Sequence, residues 1–456
     1  MQALHMIEVR CCHSLAAAEP YREAIDALNL ASMQPDPFST FEFYEHCLQE
    51  ASRNIGVGGL RLWFVLAFSG GELVGYAALK QCTHLVLGVP AVKLDWLTAY
   101  VASRPHLVSA TQHAGAVEVA VLAYLLSRKR EWSLLEFQQQ DADSALLPPM
   151  PEIGASDLVQ QSWPTGVCWR VPVHGLSLAG YFATLSKKSR SNVSRQMRSL
   201  MAAGELRLLS SADPATVVAL FGLYEHIESH SWKVRASAGI AQDRRSLSYY
   251  RRLLACDQPM LIVVQILLLD GVPISGLICG AFDRGLYALD IVYDERYAAL
   301  APGSATMLLA IRLAIEGGFE FLDLLRGFGY YKSRWLAEGS ETRSLQIYRR
   351  GSPFHWHRRL GDGLRQWSRK VPQPDRLLFN ATRRKALESL DAPSSDAAPA
   401  VSADADQRAL YAHLVDSVLA GCGEFLDPPQ LSRMLPFPTG PGPTLPIPAA
   451  AVPRAH

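Results

Sequence analysis

The segment Pro-Gly-Ser-Ala at 302–305, which a short loop joins to an apolar strand pattern, is the part of the sequence best suited to bind a phosphate group. Pro302 and Ser304 favour the first turn of a helix, and the glycines at 317–318 are a typical stop, so a helix is predicted to about Glu316. The first N–H groups of a helix lack intrahelical partners and lie at the positive end of its dipole, and Gly303 leaves room for close approach. The segment therefore predicts a pyrophosphate site, although a Pro-Gly dipeptide by itself is more often a plain turn.

A second group of residues carries side chains that can transfer protons or line a reaction site. They follow two predicted strand ends and occupy one helical pattern: Asp294, Glu295, Tyr330, Tyr331, Lys332, His226 and His230. The two histidines share a helix face, as a metal site requires, but Ile227 stands where a zinc protease has glutamate. We therefore predict no metal site, and the histidines are expected to serve as a general base or as surface residues.

Two further segments combine basic side chains with apolar or aromatic ones. Segment 186–205 has an apolar stripe at helical spacing, which predicts a basic amphipathic helix whose cations face solvent or contact an anionic donor or acceptor, such as a phosphate-bearing molecule, a tRNA or an anionic polymer. The cations are Lys187, Lys188, Arg190, Arg195 and Arg198. Segment 354–370 interleaves aromatics with arginines and predicts a closing helix, or else a contact with a membrane surface or nucleic acid. The GxSxG and GxxxxGK[ST] signatures are absent, which removes the commonest hydrolase and nucleoside triphosphatase functions.

The elements that must position these residues occur twice along the chain. The matching pairs are the hairpin patterns 62–80 and 262–280, the strands 93–100 and 288–295, the helices that begin near Ala114 and Pro302, and the strands 132–137 and 319–325. Both hairpins have glycine-containing turns at matching places. Four elements recur in the same order, which favours an ancient duplication.

Each half therefore has the order hairpin, strand, helix, strand, and its strand–helix–strand piece is expected to form a right-handed crossover. The fold class expected is α/β (α+β), with mixed sheets and helices on their faces. Ligands of such sheets bind where strand ends meet a helix N-terminus, which indicates the loop after Asp294. The expected domains are a degenerate N-terminal half at 1–175, a catalytic half at 176–352, basic closing helices at 353–390 and a largely disordered Pro/Ala-rich tail at 391–456.

This order of elements resembles the GNAT acyltransferases, and more closely their CelD-like and FemAB-like branch, over most of residues 38–350. The most specific segments are SKKSRSNVSRQMRSLMAAGEL (186–206), LDGVPISG (269–276), YDERYAALAPGSATMLL (293–309), FLDLLRGFGYYKSRWL (322–336) and SLQIYRR (344–350). The resemblance implies tandem GNAT-like halves and an acyl-CoA pyrophosphate at Pro302, Gly303, Ser304 and Ala305. Because the branch includes enzymes that use aminoacyl-tRNA, that donor stays open.

For a thioester donor, the resemblance implies an N-acyltransferase that moves an acyl group, with acetyl as the first choice, from acyl-CoA to an amine acceptor. Such chemistry needs a base, N–H groups that polarise the carbonyl, and an acid for the leaving thiolate. The expected roles are base for Asp294, Glu295, His226 or His230, polarisation by N–H groups around Val292 and Tyr293, acid for Tyr330 or Tyr331, and shaping of the acceptor side by Lys332 and Trp335. Polysaccharide or cell-envelope biosynthesis is the expected setting, and a non-catalytic binding protein with the same fold is the alternative of another class.

Composition limits the expected partners. The chain has 456 residues, 49% of them apolar, and its 44 basic and 43 acidic residues give no overall attraction to DNA or to an anionic membrane. The longest apolar run, 260–269, is about half of a bilayer span, and the N-terminus lacks a signal-peptide pattern. We therefore expect a cytoplasmic protein without a transmembrane segment, for which peripheral membrane contact stays open. Acyl-CoA and an amine-bearing acceptor are the expected partners, with no DNA, and tRNA only under the aminoacyl alternative.

Overall fold

The computed structural model describes residues 7–53, 59–99, 102, 104–142, 144, 157–236, 238–255, 260–327 and 330–370. The expected tail at 391–456 and the second part of the expected closing segment, 371–390, lie outside the described residues. No helix in the described ranges is both long enough and apolar enough to cross a bilayer.

Strands and helices are numbered here in chain order. The strands are β1 (Glu8–Cys12), β2 (Leu60–Ser69), β3 (Glu72–Val86), β4 (Val89–Trp96), β5 (Val108–Ser109), β6 (Leu134–Asp141), β7 (Leu158–Pro172), β8 (Leu206–Ser211), β9 (Leu261–Leu269), β10 (Val272–Phe282), β11 (Gly285–Tyr293), β12 (Phe321–Arg326) and β13 (Glu338–Arg349). The helices are α1 (Leu15–Ala18), α2 (Arg22–Ala31), α3 (Phe41–Arg53), α4 (Ala114–Ser127), α5 (Leu178–Thr184), α6 (Lys187–Ala202), α7 (Pro214–Ser229), α8 (Trp232–Ala236), α9 (Arg244–Ala255), α10 (Pro302–Glu316), α11 (Tyr330–Ser333) and α12 (Pro353–Lys370).

The predicted duplication is present in the strand connectivity. In the first half β2, β3 and β4 pair antiparallel in sequence, α4 follows, and β6 returns parallel to β4. The second half repeats this with β9, β10, β11, α10 and β12. The hairpin turns also match, because Gly70–Gly71 and Asp270–Gly271 each place two consecutive residues at positive φ, as a two-residue hairpin turn requires. The four repeated elements predicted from sequence are confirmed.

The two halves share one continuous sheet, whereas the sequence led us to expect separate sheets. The strand order is β1-β2-β3-β4-β6-β13-β7-β12-β11-β10-β9-β8, with β5 attached to β3. The order is symmetric about its centre, because each strand of the first half lies as far from one end of the sheet as its counterpart in the second half lies from the other end. The last strand of each half lies in the other half, because β7 pairs with β12 and β13 pairs with β6. Sequence periodicity did not reveal this exchange, since either location buries a strand equally well.

The apolar core is divided by the sheet into three clusters. One cluster extends through both halves on the face that carries α2, α3, α7 and α9. On the opposite face, α5, α6 and α10 cover the second half, and α4 covers the first half. Both crossover helices are strongly apolar, and most side chains of α10 from Ala305 to Ala314 are buried. Each half therefore positions its crossover helix by burial against its own strands.

Candidate active site

Strands β11 and β12 separate and leave an open slot. Their parallel pairing is limited to residues 285–287 and 321–323, and among the described residues no strand pairs with the β12-facing edge of β11 beyond Tyr287. β12 bends away at a bulge, where Leu325 has a φ of 56° and the pairing with β7 shifts register. Backbone amide groups of 288–293 on that edge are thus left without a ladder partner. Of the two residues predicted to polarise the carbonyl, Tyr293 has its amide on this edge, whereas the backbone of Val292 pairs with Gly276 of β10.

The predicted phosphate segment lies at the N-terminus of α10, beside the end of β11. Ala301 turns the chain with a φ of 52°, Pro302 begins the helix, and no side chain caps the first turn. Gly303 faces the ring of Tyr293, and a Cβ on this glycine would lie 3.3 Å from Cδ1 of that ring. Ala305 is buried, and Ser304 is partly exposed. The residues predicted to hold the donor are therefore together, with uncapped amide groups toward the end of β11.

Asp294 is fully buried where β11 ends. Its carboxylate accepts two hydrogen bonds from Nε of Arg296 at 3.0 Å, one from Nη2 at 2.5 Å and one from the Arg296 backbone N–H at 2.9 Å. These bonds fix the 3₁₀ turn Glu295–Leu300, which leads into α10. Asp294 thus supports the donor segment, and both of its oxygens are occupied by the neighbouring arginine.

Glu295 and the two histidines adjoin the same strand end. The Glu295 carboxylate accepts a hydrogen bond from Nη2 of Arg235 at 2.5 Å. The backbone N–H of Glu295 donates to the backbone carbonyl of His230 at 3.1 Å. The rings of His226 and His230 lie with centroids 4.7 Å apart at the C-terminal end of α7. The fold therefore brings both predicted histidines and both predicted carboxylates to one end of β11.

The side chain of His226 is held neutral. Burial lowers the pKa of His226 to about 4, and the neighbouring His230 and Arg296 act in the same direction, against the opposite effect of Asp294. A neutral imidazole has a ring nitrogen free of its proton and can accept one. Within the described part of the chain, no group of three or more His, Cys, Asp or Glu side chains is arranged to hold a metal ion.

Lys332 is buried behind the bulge of β12. Its ammonium donates to the carbonyls of Leu324, Leu325 and Arg326, at distances of 2.8, 3.4 and 3.2 Å. Burial lowers the pKa of Lys332 to about 8. Trp335 is also buried, and its carbonyl accepts a hydrogen bond from the Tyr181 hydroxyl at 2.6 Å.

The remaining predicted residues are the two tyrosines of α11. The backbone of Tyr330 and Tyr331 forms the start of that helix. Their side chains lie outside the described residues, so their predicted role as an acid stays a prediction.

Sequence reasoning missed a buried ionic cluster on the other side of the same bulge. Asp323 is fully buried and accepts hydrogen bonds from Nε of Arg170 at 2.8 Å, from Arg104 and from the Leu325 N–H at 2.8 Å. Arg170 comes from β7, and Arg104 comes from the loop before β5. The carboxylate inside the apolar pattern FLDLL could have indicated a buried charge at Asp323. Its partners lie far away in sequence, so nothing in the sequence indicated which residues pair with it.

The predicted basic helix is α6, which begins after its N-cap Ser186. Val193, Met197 and Leu200 are buried, and the helix packs against α10 and the 3₁₀ turn before it. Four of its predicted cations are exposed: Lys187, Lys188, Arg195 and Arg198. The fifth cation, Arg190, donates to the carbonyls of Ala183 and Leu185 and so ties α6 to α5.

Comparison with protein families matches one segment of the chain. Residues 187–333, from the start of α6 to the end of α11, match the family described as acetyltransferase (GNAT) domain. No curated protein sequence matches the chain significantly.

Among solved structures, FemX is 11% identical, with 71% of this chain and 95% of FemX covered and a TM-score of 0.47. A tandem GNAT protein from the clavulanic acid biosynthesis pathway is 13% identical, with 75% and 98% covered and a TM-score of 0.38. The C-terminal domain of a putative lysylphosphatidylglycerol synthetase from Agrobacterium fabrum is 12% identical, with 71% and 95% covered and a TM-score of 0.42.

Proposed function

We propose, from the match of residues 187–333 to a GNAT acetyltransferase domain, that the protein is an N-acyltransferase that moves an acyl group, with acetyl as the first choice, from acyl-CoA to an amine. The observation that carries the proposal is the uncapped N-terminus of α10 beside the open edge of β11, with Gly303 against Tyr293. A pyrophosphate fits the uncapped amides, and the thioester then lies along the amides at the end of β11. An amine acceptor of a polysaccharide or cell-envelope precursor fits the proposal, and the acyl group stays open.

The transfer requires no covalent intermediate on the protein. The amine nitrogen forms a bond to the thioester carbonyl carbon, the carbon–sulfur bond breaks, the base takes the proton of the amine, and the thiolate receives a proton. We assign the base to His226 or Glu295, because both lie at the end of β11 while both oxygens of Asp294 are held by Arg296. Backbone N–H groups around Tyr293 polarise the carbonyl, and Tyr330 or Tyr331 supplies the acid. Lys332 shapes the acceptor side by holding the carbonyls of β12.

The donor site is tested by calorimetric titration of acetyl-CoA into the Gly303→Asp variant. Gly303 is helical with negative φ, and its nearest neighbour is an aromatic ring that needs to move by only a few tenths of an ångström, so the fold tolerates the change. An aspartate there repels the pyrophosphate, and we expect an affinity at least about tenfold lower at an unchanged melting temperature.

The chain offers a matched control in its first half. Gly115 is the second residue of α4, as Gly303 is of α10, and a Cβ at Gly115 meets nothing within 4 Å. Gly115→Asp is expected to bind acetyl-CoA like the wild type, because the proposal places the donor in the second half. Equal affinity of both variants and the wild type would mean that α10 holds no phosphate.

An aminoacyl-tRNA donor is the second candidate, and the exposed cations of α6 favour it because the helix packs beside the turn that leads into α10. Such a donor predicts salt-dependent binding of bulk tRNA that weakens when Lys187 and Lys188 are both changed to glutamine. Binding of acetyl-CoA without measurable tRNA binding supports the CoA-dependent function. Binding of neither favours the non-catalytic alternative.

A further inference from the structure

A small cavity, open to solvent, lies between the two halves of the protein. The ionisable residues along its wall come from five separate parts of the chain: Asp36, Arg104, His106, Arg170, Tyr287 and Asp323. A second small recess shares Arg170 and Tyr287 with it, so the two form one groove. The cavity thus exists only where the halves meet.

The wall holds two guanidinium groups on a single carboxylate. Arg104 and Arg170 both bond Oδ2 of Asp323, the former through Nη2 and the latter through Nε. In the described part of the chain, neither guanidinium makes another side-chain hydrogen bond, although each carries five N–H donors. Arg104 lines the cavity although its side chain is only 14% exposed, so an acceptor that enters the cavity can reach its remaining donors.

The other acidic and imidazole groups of the cavity, Asp36 and His106, are engaged with neighbours other than Arg170 and Asp323. Asp36 is engaged locally, because its oxygens accept from the Phe38 N–H at 3.3 Å and from the Ser39 hydroxyl at 3.1 Å. Burial raises the pKa of Asp36, which favours its neutral form. His106 lies 3.8 Å from Asp36 and is bonded to the Arg104 carbonyl at 3.0 Å. Two guanidinium groups thus face the cavity above a single carboxylate that both of them bond.

We infer that this cavity binds an oxyanion group, a carboxylate or a phosphate, through Arg104 and Arg170. Guanidinium groups match both anions in planar, paired hydrogen bonds. Asp323 sits beneath the pair and fixes its orientation, as its bonds to both arginines show. The groove continues into the second recess, which leaves room for the remainder of a molecule attached to the anion.

The position of the cavity relative to the slot indicates which substrate carries the anion, a step that rests on the proposed function. Tyr287 is the last residue of β11 that pairs with β12, so the cavity adjoins the point where these strands separate. Tyr287 and Leu325 belong to the core cluster on the sheet face opposite α10. A donor that enters along α10 and an anion held in the cavity thus approach the slot from opposite faces. The acceptor class is then an amine that also carries a carboxylate or phosphate.

The test uses full-length Gly303→Asp protein, so that phosphate cannot bind at α10, with inorganic phosphate and succinate as separate probes at constant ionic strength. We expect a saturable rise in melting temperature with at least one probe, and the stronger probe distinguishes a phosphate from a carboxylate ligand. Adding Arg170→Gln, which keeps the Arg104–Asp323 pair, is expected to weaken binding at least about tenfold. Adding Arg251→Gln, a change at an exposed arginine of α9 that lines neither recess, is expected to leave binding unchanged.

Asp323→Asn provides a change in the opposite direction. It keeps the shape of the side chain but removes the negative charge beneath the arginines, so the anion is expected to bind several-fold more tightly. This variant also keeps the inference falsifiable if Arg170→Gln lowers stability. Absence of saturable binding, equal binding by the Arg170→Gln protein, or weaker binding by the Asp323→Asn protein would show that the arginines only join the halves. Acetyl-CoA titration of the protein with Gly303 intact reports separately on the donor site.

Discussion

Glu136 and Asp323 occupy corresponding positions in the two halves. Each is the third residue of its half's parallel ladder, which joins β4 to β6 in the first half and β11 to β12 in the second. Glu136 lies opposite Asp95 of β4, and Asp323 lies opposite Tyr287 of β11. Both carboxylates are buried, but Glu136 is paired at 2.5 Å with Lys93 of its own half, whereas Asp323 is paired with Arg170 of β7 and with Arg104. The duplicated position has thus become a closed ion pair in one half and the floor of a cavity in the other.

The closed pair at Glu136 is predicted to contribute to stability only. Burial raises the pKa of Glu136, but the charge and hydrogen bond of Lys93 outweigh it and hold the pKa below its usual value. Glu136→Ala leaves Gln346 and Gln138 without their acceptor, and we expect a loss of about 1–3 kcal/mol in the free energy of unfolding, measured with urea. Acetyl-CoA affinity is expected to be unchanged.

A control for this variant is Glu131→Ala, which removes a partly exposed carboxylate paired with Arg61 and Arg128 on the surface. Exposed pairs contribute little, so we expect a change below about 0.5 kcal/mol. Equal effects of the two substitutions would contradict the view that burial makes the Glu136 pair important.

The repeated elements were predictable because each follows from local pattern. The helix from Pro302 to Glu316 was bounded by Pro-Ser at its start and Gly-Gly at its end, and the structure has those bounds. The exchange of β7 and β13 was not predictable, since the apolar pattern of a strand does not specify which neighbour it pairs with. Periodicity thus identified the elements and not their partners across the halves.

The pH dependence of stability should carry a contribution from His226. The folded protein holds its pKa at about 4, below the ordinary value of 6.5, so the unfolded chain binds the proton first as pH falls. This contribution to stability is complete above about pH 6.5 and is lost progressively between pH 6.5 and 4. Urea unfolding of His226→Gln is expected to show a smaller loss over this window than the wild type. An identical pH profile would contradict a buried, neutral His226.

Lys332 should also make the protein more stable as pH rises, but in the alkaline range. Its folded pKa of about 8 lies below the ordinary 10.5, so the unfolded chain binds more protons between these values and stability rises with pH there. Lys332→Met is expected to lack this rise, whereas Lys129→Met, a change at a partly exposed lysine paired with Asp157, is expected to keep it. The measurement is the free energy of unfolding from pH 7.5 to 10.5. If the free energy of unfolding of the Lys332→Met protein rises as much as that of the wild type, the Lys332 ammonium of the wild type is not buried.

The candidate site was predictable in part. The donor segment and the acidic residues after β11 follow from strand and helix ends, and the structure places them together with His226. The functions of Arg104 and Arg170 were not accessible, because the contact with Asp323 joins residues that are 219 and 153 positions apart. Arg296 was also overlooked, although its proximity to Asp294 in sequence allowed the pair to be anticipated.

The exchange of last strands predicts how the chain can be divided. In a fragment of residues 176–456, β12 and β13 are both present, but β7, which lies between them in the sheet, is missing. The two strands then lose the ladders β12–β7 and β13–β7, the second of which runs from Glu338 to Arg349. Unpaired buried backbone groups are costly, so this fragment is not expected to fold.

A fragment of residues 157–456 keeps β7 and therefore keeps the order β13-β7-β12-β11-β10-β9-β8 without a gap. We expect it to unfold cooperatively, as measured by circular dichroism, and to bind acetyl-CoA, because Gly303, Tyr293 and α6 all lie within it. The two fragments differ only by residues 157–175, so their comparison isolates β7 together with the short turn after it. Cooperative unfolding of both fragments would mean that the second half does not need the strand of the first. Failure of both would mean that the core cluster common to the two halves, and not β7 alone, determines folding.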